Sequence, residues 1–381
     1  MACRAQELYA SRLFSYARSY AESIADRWYI LSAKYGLVEP STILAPYEAT
    51  LKTLGVSGQR VWSERVLASL RQIVRPCDTI IFLAGIEYRR FLIPELERLG
   101  CKVLVPLEGM PLGVQVSWLK RAATSISASR TLEQFYDLLG RLERELRGKR
   151  ELRSCTGQMQ WPRRGVYIFF EPGEDRSKAR SVQRVVRIGT HAVGEGSKST
   201  LWSRLHTHRG AANGGGYHRG SVFRLHLGAA LQRQDRKSPV VASWGQGSTA
   251  PGAVRATEQA LEQRVSAYIG AMSILWLAVD DLPGPRSDRS YIERKTIALV
   301  SSVGRLIDPP SQKWLGNDSP NKAIVASGMW NVQWVGEPID SYILDVLDFY
   351  IDVTIGKRQP PEGSIVPRSA WDRQLSLLHE D

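Results

Sequence analysis

Gly165-Val-Tyr-Ile-Phe-Phe170 and Val182-Gln-Arg-Val-Val-Arg-Ile-Gly189 decide how this chain is read. Both runs are short, rich in β-branched and aromatic residues, and separated by the polar stretch Glu171 to Ser181. That pattern predicts a β-hairpin. A helix is expected at about 199–208, where Leu201-Trp-Ser-Arg204-Leu-His-Thr-His208 sets Arg204 and His208 four apart, on one helical face. The glycine-rich 210–220 segment predicts a loop, because so many glycines cannot sustain regular structure. It carries no Lys-Ser/Thr step of a triphosphate loop and reads as a mobile loop over a ligand or a flexible connection. Further on come a helical pattern over 254–269, a strand over 273–280, a helix over 288–303 containing Glu293, and a last helix over 338–352.

Upstream the grammar differs. Residues 8–26, 57–75, 88–99, 114–128 and 131–149 have helical spacing, and Trp28–Ser32, Thr79–Ala84 and Lys102–Pro106 read as short buried strands. Strands alternating with helices imply a mostly parallel sheet. The expected fold class is therefore α/β: an N-terminal, mostly parallel α/β sheet domain over 1–150, a linker over 151–162, and a C-terminal α+β domain over 163–381. The last would hold a small three-stranded antiparallel sheet flanked by helices.

Composition excludes several classes. With 43% apolar and 23% charged residues in 381, the chain is neither disordered nor collagen-like. No apolar run approaches a membrane span, and no apolar signal core opens the sequence, so a soluble, cytoplasmic chain is expected. Cys3, Cys77, Cys101 and Cys155 lie far apart and suit buried, reduced thiols. Five of the six histidines fall between His191 and His226, but at spacings that fit no standard zinc ligand set. The formal charge is +13, and residues 151–240 alone hold 16 basic against 6 acidic side chains. Such a local excess points to a polyanionic partner, most simply nucleic acid.

The hairpin, the Arg204–His208 helix, the strand Ser273-Ile-Leu-Trp-Leu-Ala-Val279 and the helix Tyr291-Ile-Glu-Arg-Lys-Thr-Ile-Ala-Leu299 stand in the order of a known set. Residues 165–300 resemble the GIY-YIG nuclease superfamily, with Gly165-Val-Tyr167 and Arg187-Ile-Gly189 as the two triplets. The resemblance implies a metal-dependent endonuclease. Tyr167 would orient or deprotonate water with support from His208, Arg204 would bridge phosphate oxygens, and Glu293 would hold Mg²⁺ or Mn²⁺. Arg187 replaces the second tyrosine and would position water differently or grip phosphate. Glu262 competes with Glu293 as metal ligand. Lys198, Arg209, His218 and Arg219 are candidate DNA contacts, His218 by the resemblance.

A second set comprises Ile30-Leu-Ser-Ala-Lys-Tyr-Gly-Leu37, Leu44-Ala-Pro-Tyr-Glu48, Leu83-Ala-Gly-Ile-Glu-Tyr-Arg89 and Pro106-Leu-Glu-Gly109. Over 7–125 it resembles the YaaA-like family, which implies DNA binding. Lys34, Tyr47, Tyr88 and Arg89 would then hold a phosphate and a base near strand ends, where open α/β sheets place ligands. The partner expected is DNA, double-stranded, with no membrane; a homodimer is compatible with the sequence. The other readings are a DNA-binding protein with an inactive nuclease fold and a glycosylase–nuclease fusion acting on modified bases.

Overall fold

The computed structural model describes residues 2–371 apart from 178, 180, 212, 236, 305–307 and 368–369. The chain forms two compact units, Met1–Ser127 and Ala128–Asp381. The divide falls inside one helix, Leu112–Glu145, where two helices were expected. Ile126-Ser-Ala-Ser-Arg130 contains neither Gly nor Pro, so nothing there interrupts the backbone ladder. The expected linker belongs to the second unit: Leu152 and Cys155 are fully buried, and Arg150–Glu151 adds a strand to its sheet.

The mostly parallel sheet expected in the first unit is corrected. Its described strands are two or three residues long and form three two-stranded sheets, of which one, Thr79–Ile81 with Lys102–Leu104, is parallel. Gly36, at φ +75°, turns the chain back at once, so Ile30–Ser32 takes Gly36–Val38 as an antiparallel partner instead of a parallel neighbour. Trp62, Val66 and Leu70 of the helix Val56–Leu70 pack against Phe82, Leu92 and Leu96 to make the main core.

In the second unit the strands lie side by side in the order Arg150–Glu151, Ser273–Ala278, Gly165–Asp175, Gln183–Gly189, all antiparallel. The three expected strands are present, and the fourth is the short addition. Val166, Ile168 and Phe170 face a core built with Leu132, Phe135 and Leu139 of the long helix, Ile292 and Ile297 of the helix Asp288–Val300, and Val346 and Tyr350 of the helix Ile343–Thr354. Tyr167 and Phe169 point the other way, under Leu201, Leu205, Phe223, Leu227, Val265 and Ile269 from the helices Leu201–Arg209, Val222–Gln234 and Gly252–Ala271. Burial on both faces explains why this strand reads as an unbroken apolar run.

The strand continues to Asp175, through a stretch expected to be a polar turn. Its two glutamates are bonded rather than solvated. Glu174 pairs with Arg184 across the hairpin at 2.7 Å, and Glu171 accepts from the indoles of Trp314 (3.1 Å) and Trp330 (3.0 Å) and from the Tyr268 hydroxyl. Among the described residues no helix is long and apolar enough to cross a membrane. Cys101 and Cys155 are buried as expected, whereas Cys77 is exposed and Cys3 half-buried.

Candidate active site

Tyr167 and Gly189 are direct partners across the hairpin. A Cβ at 189 would lie 2.3 Å from the Tyr167 hydroxyl oxygen, so only glycine admits the phenol there. At Gly165 a Cβ would lie 2.2 Å from the Leu277 carbonyl oxygen of the next strand. The glycines of both triplets are thus required by close approach, one of ring to backbone and one of strand to strand. The Tyr167 Oη lies 2.8 Å from His208 Nε2, and His208 Nδ1 lies 2.8 Å from Oγ of Ser221, which also caps the helix Val222–Gln234. His208 is fully buried. Burial first, then the cations Arg204, Arg187 and Arg224, hold its pKa well below the ordinary value, so the ring is neutral.

Arg187 stands two residues before Gly189, on the Tyr167 face of the hairpin. Its Nη1 donates to the Trp330 carbonyl at 2.7 Å, and its guanidinium lies 4.7 Å from the Phe223 ring centre. Its buried Nε has no hydrogen-bond partner. Burial lowers its pKa, while Tyr167 and Glu293 act in the opposite direction. Arg204, half-buried on the next helix, makes one long bond, to the Gly220 carbonyl at 3.3 Å.

Glu293 approaches from the helix Asp288–Val300. One carboxylate oxygen accepts the Thr190 N–H at 3.1 Å, directly after Gly189. Burial pushes its pKa up, opposed by Arg187, the Thr190 N–H, Arg204 and Arg289. Tyr167, Arg187, Arg204, His208 and Glu293 therefore gather at one end of the hairpin, although they lie up to 126 positions apart in the chain (167 to 293).

Residues 127–356, well over half of the chain, match the family model described as the GIY-YIG domain. The chain belongs to the GIY-YIG family. Residues 1–121 match a family of unknown function (DUF6884), which leaves the YaaA-like resemblance of 7–125 without support. No curated protein and no solved structure matches the chain.

Family membership implies nuclease-type chemistry and, in general, a divalent metal and a DNA substrate. The donor set of this GIY-YIG chain fits a cation that keeps most of its waters. Among the described residues no three His, Cys, Asp or Glu side chains gather to hold a metal by themselves. Glu293 offers one carboxylate oxygen that no described residue hydrogen-bonds. A single oxygen ligand, completed by water and phosphate, suits Mg²⁺ better than a cage-bound ion.

Glu262, the rival ligand, has both carboxylate oxygens engaged by protein donors. It is buried, bonded to Arg224 at 2.5 and 3.0 Å, and accepts from His218 at both the backbone N–H (2.6 Å) and Nδ1 (3.0 Å). His218 and Arg219, expected as DNA contacts, lie in the same network of ion pairs. His218 is buried, stacked on Trp244 at 3.9 Å, and its Nε2 accepts the Gly245 N–H at 3.1 Å. Arg219 grips both oxygens of Glu258 at 2.7 Å with a side chain 2% exposed. The glycine run packs against this network. A Cβ at Gly216 would lie 1.8 Å from Arg224 Nη2, so glycine at that position is what lets the backbone close over Arg224. Arg209 is tied to the Cys155 carbonyl and lies 5.2 Å from the Trp202 ring centre, while Lys198 is exposed between the hairpin and the Arg204 helix.

In the first unit, Tyr47 accepts and donates in a chain of hydroxyls with Ser32 and Tyr9, each 2.6 Å away. The exposed Lys34 ammonium lies 5.1 Å from the Tyr35 ring centre and 5.9 Å from that of Tyr47. Burial, then Tyr47, pushes the Tyr9 hydroxyl pKa far up; Tyr88 contributes in the same direction. Arg89 turns away to Glu108, at 2.9 Å. Sequence reasoning missed Tyr9, Thr190 and Ser221. Ser221 had a visible signal, a serine directly before the run Val222-Phe223.

Proposed function

We propose that this chain is a metal-dependent endonuclease that hydrolyses phosphodiester bonds of double-stranded DNA. The observation that carries the reading is the convergence of the Tyr167–His208 pair with Arg187, Arg204 and Glu293. Hydrolysis needs a water stripped of a proton, charge compensation at the pentavalent phosphorus, and a protonated or neutralised leaving oxygen. Glu293 would hold Mg²⁺ or Mn²⁺, which when bound neutralises phosphate charge and acidifies coordinated water. Arg204, the least tied of the cations, offers its planar fork to the non-bridging oxygens. Arg187, fixed from behind by Trp330 and Phe223, supplies a second positive charge where the family's second tyrosine stands. As water attacks phosphorus, its proton passes to Tyr167, whose own proton moves to the neutral His208. The P–O bond then breaks on the opposite side, and the leaving oxygen takes its proton from a solvent water. Ser221 fixes the His208 ring from behind.

In the first unit, the Lys34 ammonium and the Ser32–Tyr47–Tyr9 hydroxyls would read the DNA or a modified base. Arrest of modified foreign DNA is the role that suits such a pairing.

A supercoiled plasmid incubated with Mg²⁺ should be nicked by the wild type and left intact in EDTA. Arg204→Ala should lower kcat by about 10²–10³, and Glu293→Gln should abolish metal-dependent cutting. Cutting that survives both substitutions would sink the site. Binding without any cutting would favour the DNA-binding reading, for which the arginine at 187 speaks. Release of free base by Glu293→Gln would favour the glycosylase reading.

A further inference from the structure

Trp334 stands out among the aromatic residues. It is 38% exposed, and its backbone sits at φ +66°, the left-handed region that a bulky side chain rarely enters. Its neighbours explain how the conformation is held. Asn331 clamps Ile188 through two bonds, its Oδ1 accepting the N–H at 3.0 Å and its Nδ2 donating to the carbonyl at 2.8 Å. Val335 is buried in the core. The Glu337 N–H bonds back to the Trp334 carbonyl at 3.3 Å. Anchored on both sides, the chain turns the indole outward instead of tucking it in.

One face of that indole is already occupied. The Arg294 guanidinium lies 4.3 Å from the ring centre and is itself fixed by Glu337 at 2.5 Å. Arg294 is the residue next to Glu293. The same short backbone stretch therefore carries both ends of the arrangement: Asn331 holds Ile188, and Glu293 holds Thr190 two residues on. Trp334 stands three positions after Asn331, at most about 11 Å of chain. Along a nucleic acid strand that is about three nucleotide steps. An exposed, strained indole backed by a cation, within a few nucleotides of the phosphate-binding cluster, has the make-up of a base-stacking platform.

We infer that Trp334 is a nucleobase-stacking subsite: the face turned away from Arg294 receives a base unstacked from the duplex beside the scissile phosphate, and Arg294 supports the ring from behind. The inference rests on the nuclease reading and adds a contact that fixes register on the strand. Stacking of this kind is indifferent to base identity, so it positions the substrate and does not select sequence.

The test uses the full chain and a fluorescently labelled duplex in EDTA, where binding is read without cutting. Trp334→Gly removes the ring and suits the left-handed backbone; Trp334→Phe keeps an aromatic face. Affinity should fall about tenfold or more for Trp334→Gly and stay within about threefold of wild type for Trp334→Phe, and the thermal midpoint of Trp334→Gly should not fall. A 2-aminopurine base left unpaired, opposite an abasic site within three nucleotides of the mapped cut, should be quenched on binding by the wild type and by Trp334→Phe, and more weakly by Trp334→Gly. Unchanged affinity in Trp334→Gly overturns the subsite and leaves the nuclease reading standing. So does a loss in Trp334→Phe as large as in Trp334→Gly, or a lowered midpoint in Trp334→Gly, which would make the ring a packing element. Wild type that binds no duplex overturns both.

Discussion

The second unit contains two clusters of the same residue types, arginine, glutamate and histidine, that came to opposite ends. In one, Arg224 donates to Glu262, to the His208 and Glu262 carbonyls and to Ser266, while His218 and Arg219 are held by Glu262 and Glu258. In the other, among the described residues, Arg187 keeps an unpartnered Nε, Arg204 has one bond of 3.3 Å, and Glu293 has a carboxylate oxygen free of protein donors. A saturated polar network fixes helices to one another; an unsaturated one beside a neutral histidine has the make-up of a ligand site. The two meet at His208, whose backbone carbonyl belongs to the first cluster and whose ring belongs to the second. The strut therefore positions the site.

The largest expected effect separates the clusters by what they control. Glu262→Gln leaves the fully buried Arg224 guanidinium without its counter-charge, and stability should fall by about 3–5 kcal/mol. Urea denaturation measures this, and cutting per folded molecule should stay near wild type. Glu293→Gln should do the reverse, with cutting lost and the urea midpoint unmoved, because its partner is a single backbone N–H. If Glu262→Gln instead cuts poorly at unchanged stability, the division into strut and site is wrong.

A smaller effect tests how tightly the hairpin holds the phenol. Gly189→Ala puts a methyl group 2.3 Å from the Tyr167 hydroxyl oxygen, so the ring must move away from His208. Overpacking of this kind costs about 1–3 kcal/mol, and cutting should fall more than stability does. Equal activity in Gly189→Ala would mean that the 2.8 Å Tyr167–His208 contact plays no part in the chemistry.

Much of the site was legible because the family spacing survives in local pattern: two glycine-bounded strands, an arginine with a histidine one turn later, and a glutamate after the third strand. What was not legible was pairing between distant residues. The excess of cations over 151–240 suggested a bare phosphate-binding face, yet Arg164, Arg176, Arg219 and Arg224 meet Asp280, Glu133, Asp308, Glu258 and Glu262, all outside that segment. Segment charge cannot see partners contributed by another helix. The glycine-rich segment has a packing role that composition does not show, since Gly210 and Gly216 fit closely against Arg224. In the first unit, alternating helix and strand suggested a parallel sheet, and the reversal at Gly36 defeated it.

The smallest effect concerns a histidine that belongs to neither cluster but supports the first triplet. His191 Nε2 accepts the Gly165 N–H at 3.3 Å while Nδ1 faces the Ser199 carbonyl at 3.1 Å, so its two bonds require the neutral ring with the proton on Nδ1. Burial first, then Arg289, brings its pKa down to about 4, opposed by the Ser199 bond. The folded value lies below the unfolded one of about 6.5. Between them the unfolded chain binds the proton and the folded chain does not. Stability from this group is therefore complete above about pH 6.5 and is lost as pH falls toward 4, at up to about 1.4 kcal/mol per pH unit. His191→Gln can keep both bonds, carbonyl toward Gly165 and amide toward Ser199, without titrating. Hydrogen exchange of the Gly165–Asp175 strand in the full chain, followed from pH 7 to 5 after correction for intrinsic rates, should show a shallower loss of protection in His191→Gln, by about one proton's worth of slope. The buried carboxyls Glu171, Asp281 and Glu293, whose pKa values burial raises, pull the other way but act equally in both proteins and cancel in the difference. Identical slopes would show that the Gly165 strand end tolerates a charged imidazole, and that its placement beside the Tyr167 site does not depend on the neutral ring.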